Sequence, residues 1–239
     1  MGGTASPRPA IQWRSRSNPA DDMLPIKDDN PTRTLPIVNY ALIAVNVLVF
    51  FYQATLPPHA FKAFLMANAT IPSKIPEFLA GYLGFKMAFY PMFTSMFLHG
   101  GLMHLLGNML FLYVFGDNVE DYFGHALYLL FYLFCGVGSS FVHVLFNLHS
   151  SLPAIGASGA ISGVMGAYAV LYPRARVLMW FLIFLLPLPA WLVLGYWFVL
   201  QFLAGVGGLG AASTGGVAFW AHIGGFLIGV AIAWMAKKS

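Results

Sequence analysis

The sequence predicts an all-α fold, a polytopic membrane bundle of six transmembrane helices. Composition, segment length and charge placement carry that prediction. Of the 239 residues, 59% are hydrophobic and only 8% charged, where a soluble domain carries about 25%. Six segments are long and apolar enough to cross a hydrocarbon core of about 30 Å, which takes about 20 helical residues. The Lys and Arg residues are sorted to one side of the spans that result.

The first 34 residues are polar and rich in Pro, Ser, Arg and Asp. They read as a disordered tail, ahead of a membrane domain at 35–236. The tail has no apolar stretch of signal-peptide length, so the first span is expected to insert uncleaved. The spans are placed at 36–53, 93–115, 126–146, 157–172, 189–205 and 217–236. The apolar stretch 177–205 is too long for one crossing and is interrupted by Pro187 and Pro189. Residues 177–186 are therefore read as an apolar connector on the cytoplasmic side, with Pro189 near the start of the fifth span, where proline is tolerated. Residues 116–124, which carry Asp117, Glu120 and Asp121, are read as a cytoplasmic loop. The long segment 52–92 mixes Pro57, Pro58, Pro72 and Pro76 with apolar residues and is expected to pack into the outer leaflet against the bundle.

Charge orients these spans. Arg8, Arg14, Arg16, Lys27, Arg33, Arg174, Arg176, Lys237 and Lys238 fall on one side, and only Lys62, Lys74 and Lys86 on the other. The positive-inside rule then makes both termini cytoplasmic. A prokaryotic plasma membrane is the expected location.

Polar groups in hydrocarbon are costly, so they are expected to face the bundle interior and to be candidates for function. His104 and Asn108 are four apart in the second span, on one helical face. By themselves they fit ordinary interhelical hydrogen bonding as well as a site. The fourth span opens with Gly156-Ala157-Ser158-Gly159, and Gly163 follows at small-residue spacing. Glycines flanking a serine leave room around its Oγ, which suits a nucleophile. In the sixth span His222 shares a face with Gly225 and Gly229. Close packing of that face on Gly159 and Gly163 would bring His222 to Ser158 as its base.

Other chemistries lack their parts. His99 and His104 are five apart with no Glu between them, unlike a zinc-protease motif. The spans offer no carboxylate pair, and Cys135, the only cysteine, can build neither an internal disulfide nor a cysteine metal site. No metal, cofactor or nucleic-acid partner is expected.

With these residues in view, the chain resembles the rhomboid family of intramembrane serine proteases. The matching motifs are His104-Leu105-Leu106-Gly107-Asn108, Gly156-Ala157-Ser158-Gly159-Ala160 and Ala221-His222-Ile223-Gly224-Gly225, in that order and on the second, fourth and sixth spans. The resemblance implies a Ser158–His222 pair with no acidic third member. It also implies an oxyanion hole of His104, Asn108 and the Ser158 backbone N–H, a membrane-embedded first loop, and a mobile cap at 205–216. Substrates would be membrane-anchored proteins, cut in or near a transmembrane helix within the lipid bilayer. A silent relative that only binds transmembrane helices is the alternative, and it would be expected to lack Ser158 or His222. Two positions depart from the family pattern. Phe89-Tyr90-Pro91-Met92 stands where the family has a Trp-Arg pair, and Ser162 stands where some members stack a tyrosine on the histidine.

Overall fold

The fold is organised around one short helix that is buried on every side. The computed structural model describes residues 23–181, 184–207 and 218–238. In chain order these form strand β1 (Met23–Asp28), helices α1 (Ile37–Thr55), α2 (Pro58–Asn68), α3 (Lys74–Leu79) and α4 (Phe85–Thr94), and a 3₁₀ turn (Ser95–Phe97). Then come α5 (Leu102–Phe123), α6 (His125–Phe146), α7 (Ser158–Leu171), strands β2 (Arg176–Phe181) and β3 (Phe184–Pro189), α8 (Ala190–Gly207) and α9 (Phe219–Lys238).

Helices α1, α6, α8 and α9 are long and apolar enough to span a membrane, and α4 with its 3₁₀ turn joins α5 at a 78° bend. The protein is thus a multi-pass membrane bundle. Helix α7 has 14 residues, about 21 Å of rise. Every residue from Gly159 to Tyr168 in it is buried, as expected of a helix that is apolar all round. It packs against α5, α6, α8 and α9, so its N-terminal serine is carried into the centre of the bundle.

Three features differ from the sequence expectation. Residues 23–28, read as part of a disordered tail, form β1; residues 1–22 lie outside the described part. The connector after the fourth span is a β-hairpin, giving an antiparallel sheet in the order β1-β2-β3. Leu24 pairs with Trp180, Asp28 with Val177 and Trp180 with Leu185. Pro187 and Pro189, which cannot donate to a ladder, sit on β3 at the edge, where that costs least. Helical periodicity fails over 176–189 because each strand is a short apolar, aromatic run instead.

The third difference is the acidic loop expected at 116–124. Helix α5 runs on to Phe123, and Gly124, at φ 75°, is the joint to α6. Glu120 is fully buried, because α1 begins on it. The N–H groups of Val38 and Asn39 donate to its two oxygens at 3.0 and 2.7 Å. The first N–H groups of a helix have no partner of their own, and Pro36 caps α1 without a side-chain bond. A carboxylate from α5 fills that role and complements the helix dipole.

The segment read as 52–92 begins with the last turn of α1 and then forms α2, α3 and most of α4, with Leu79, Tyr82, Phe85 and Met87 exposed. It is tied to the bundle by polar contacts. Thr70 and Ala154 exchange backbone hydrogen bonds at 3.1 and 2.8 Å. The hydroxyls of Thr70 and Ser95 lie 2.9 Å apart, and Thr70 also donates to the Pro91 carbonyl. In place of a Trp-Arg pair, small hydroxyls and backbone carbonyls anchor this loop.

Candidate active site

Ser158 is the first residue of α7, and His222 lies in the first turn of α9. The Ser158 Oγ is 2.7 Å from His222 Nε2. This approach depends on glycine. A Cβ on Gly225 would overlap the Gly159 carbonyl, and a Cβ on Gly229 would overlap the Gly163 carbonyl. Gly166 likewise faces the Phe226 backbone. With no side chain between them, α7 and α9 meet backbone to backbone, and their N-terminal ends bring the hydroxyl and the imidazole into contact.

His104 and Asn108 reach Gly156 from α5. Gly156 adopts φ 126°, in the region that favours glycine. A Cβ there would stand 2.9 Å from His104 Nε2 and 3.7 Å from Asn108 Nδ2. Both α5 side chains therefore reach the backbone two residues before Ser158. The Gly156 N–H donates to the Ser95 carbonyl at 2.9 Å, so the 3₁₀ turn helps hold this backbone. His104 Nδ1 lies 3.5 Å from the Gly100 nitrogen, and Nε2 is the ring nitrogen that faces Gly156. Asn108 Nδ2 is buried and, among the described residues, without a hydrogen-bond partner. An unpaired buried amide is costly, and a donor held open beside a serine suits an anion that forms only during reaction.

Ser162 donates its hydroxyl to the Ser158 carbonyl at 2.6 Å. The ring beside His222 is Trp197 of α8, with centroids 5.9 Å apart and planes tilted by 35°. Gln201, also on α8, contacts the other imidazole nitrogen: its Oε1 lies 2.7 Å from His222 Nδ1. Sequence reasoning passed over Gln201. The signal was available, since it is the only amide in a helix otherwise made of apolar, aromatic and glycine residues. Beside Ser158 a small cavity of about 30 Å³ is lined by Thr70, Ser95, Ser139, Ser140 and His143 among others. The cap expected at 205–216 lies outside the described residues from 208 onward.

Among the described residues no cluster of His, Cys, Asp or Glu could hold a metal ion. The arrangement is a hydroxyl within hydrogen-bond distance of an imidazole, with an unpaired amide nearby and a cavity lined in part by hydroxyls alongside.

Comparison with known proteins agrees with this frame. The chain is 29% identical over 209 residues to Rhomboid protein 1, mitochondrial, of Saccharomyces cerevisiae, covering 84% of this chain and 53% of that protein. It is 35% identical over 156 residues to Rhomboid-like protein 11, chloroplastic, of Arabidopsis thaliana, covering 63% and 54%. It is 30% identical over 143 residues to the human Presenilin-associated rhomboid-like protein, mitochondrial, covering 59% and 34%. The chain thus spans about half, or less, of the length of these relatives. The family model described as Rhomboid domain matches residues 86–239, well over half of the sequence and all three motifs, and the chain belongs to the rhomboid family.

Proposed function

We propose that the protein is an intramembrane serine endopeptidase whose catalytic domain is the membrane domain at 35–236. The observation that carries this reading is the 2.7 Å contact of Ser158 Oγ with His222 Nε2 inside an apolar bundle. In this reading Ser158 Oγ attacks the scissile carbonyl of a membrane-anchored substrate while His222 Nε2 takes its proton. The tetrahedral oxyanion is met by Asn108 Nδ2, His104 Nε2 and the Ser158 N–H. That N–H has no partner within α7, because the first donors of a helix have none. His222 returns the proton to the leaving amine, and the C–N bond breaks to leave a Ser158 ester. Water, deprotonated by His222, then hydrolyses that ester and restores the hydroxyl. The cavity beside Ser158, lined in part by the hydroxyls of Thr70, Ser95, Ser139 and Ser140, supports the reading, because this second step needs water at membrane depth.

Both termini are assigned to the cytoplasmic side, in a prokaryotic plasma membrane. Several relatives carry mitochondrial or chloroplastic in their names, so fractionation of the source cells tests the assignment, and recovery in an organelle overturns it.

The test of the activity is cleavage of a single-span substrate by the purified protein in lipid. Cleavage is expected for wild type and not for Ser158→Ala or His222→Ala, with all three folded. An inert wild type across substrates and lipids would instead assign the chain to helix binding without catalysis.

A further inference from the structure

We infer that Gln201 is a positioning residue that holds His222 in the tautomer able to accept the Ser158 proton, an inference that rests on the serine-protease reading above. Three helices meet at the imidazole. Helix α9 carries it, α7 supplies Ser158 Oγ to Nε2 at 2.7 Å, and α8 supplies Gln201 Oε1 to Nδ1 at 2.7 Å. A neutral imidazole has one N–H and one lone pair. A carbonyl oxygen only accepts, so the Gln201 contact keeps the proton on Nδ1 and leaves Nε2 as the acceptor facing Ser158. The opposite tautomer would point an N–H at the hydroxyl and could not take its proton.

Gln201 is itself held in place. It is 5% exposed, on a helix whose Trp197 also lies against the imidazole, so α8 grips the ring at both its edge and its face. In a Ser-His-Asp triad this task falls to a carboxylate, which also stabilises the imidazolium by charge. Helices α7 and α8 contain no Asp, Glu, Lys or Arg. The other titratable groups acting on His222 are His104 of α5 and His143 of α6. A neutral carboxamide orients the ring in this setting without a buried charge, which would be costly in hydrocarbon.

The experiment compares full-length wild type with Gln201→Leu and Gln201→Glu in lipid, using a single-span substrate with Ser158→Ala as the blank. Gln201→Leu keeps the volume and loses the acceptor. It is expected to lower kcat by about 10- to 100-fold, less than the roughly 10²–10⁴-fold of a whole general base because His222 itself remains, with KM within about twofold of wild type. Gln201→Glu keeps the acceptor and adds charge. It is expected to retain most of kcat and to move the acid limb of the pH–rate profile to higher pH, because a carboxylate favours the imidazolium. A Leu variant with wild-type kcat, or Leu and Glu variants that lose activity alike with an unmoved acid limb, would overturn the inference. A second readout does not depend on cleavage: the ¹⁵N shifts of His222 report its tautomer. The Nδ1-protonated form is expected in wild type and a mixture in Gln201→Leu, whereas an Nε2-protonated wild type would refute the inference even in an active enzyme. If wild type shows the expected tautomer and no cleavage, the protease reading fails and the positioning contact stands.

Discussion

Helix α9 meets α7 and α8 in opposite ways. Against α7 it places Gly225 and Gly229 on the carbonyls of Gly159 and Gly163, with no side chain between the backbones. Against α8 it meets large rings: Phe226 lies 4.8 Å from Phe198 and 6.1 Å from Trp197, centroid to centroid. The first contact has no adjustable part, so it fixes how far Ser158 stands from His222. The second is built of side chains that can change rotamer, so it can shift with smaller loss. Rigidity here belongs to the pair of helices bearing the reacting atoms, and adaptability to the helix that orients one of them.

The sharpest way to break this contrast is a side chain in the backbone contact. In Gly229→Val the new atoms would overlap the O, C and Cα atoms of Gly163, none of which can rotate away. Overpacking typically costs about 1–3 kcal/mol, and a clash with backbone alone belongs at the top of that range. We expect a marked fall in the unfolding midpoint in detergent together with loss of cleavage. A variant that stays stable and active would mean that the two helices can separate. On the other side, Trp197→Ala removes a ring contact of the kind worth about 0.5–1.5 kcal/mol, equivalent to about a two- to tenfold change in rate. We expect kcat to fall within that span while the midpoint moves little. Gly195→Ala on α8 is the control for glycine itself. A Cβ there meets nothing within 4 Å, so the gain in helix propensity, about 0.5–1 kcal/mol, should appear as equal or higher stability with full activity.

The same contrast explains what could be read from the sequence. Glycine spacing reports a backbone contact directly, because a helical face is a fixed arithmetic of positions. For that reason the meeting of the Gly159–Gly163 and Gly225–Gly229 faces was legible, and with it the approach of Ser158 to His222. Contacts made by single long side chains follow no such arithmetic. Gln201 reaches His222 from another helix, and Glu120 reaches the start of α1 across 81 and 82 positions. Their partners depend on how helices cross, which no local pattern encodes. The sheet was hidden for a related reason. Strand β1 continues a polar tail in the sequence, and its partners, β2, α5 and Tyr168 of α7, all lie far along the chain.

That sheet provides the third kind of neighbour for α7 and the smallest expected effect. At the far end from Ser158, Tyr168 of α7 donates its hydroxyl to Asp28 of β1, a side-chain contact where α9 makes a backbone one. Burial raises the Asp28 carboxyl above its ordinary value, and the Tyr168 hydrogen bond offsets only part of that. The folded protein therefore binds a proton at Asp28 more readily than the unfolded chain, whose carboxyl keeps a value near 3.8. Between 3.8 and the raised folded value, stability from this group falls as pH rises, and above that window it stays at its lower level. Asp28→Asn keeps an oxygen to accept the Tyr168 hydroxyl and removes the titration. Relative to wild type, the variant should gain stability as pH rises from 3.8 through the raised folded value, read as the difference in unfolding midpoint, with cleavage unchanged because Ser158 and His222 sit at the other end of the bundle. A wild type that instead gains on the variant through this window would show that Asp28 is stabilised as a carboxylate, and that β1 is held to α7 by charge instead of by a neutral hydrogen bond.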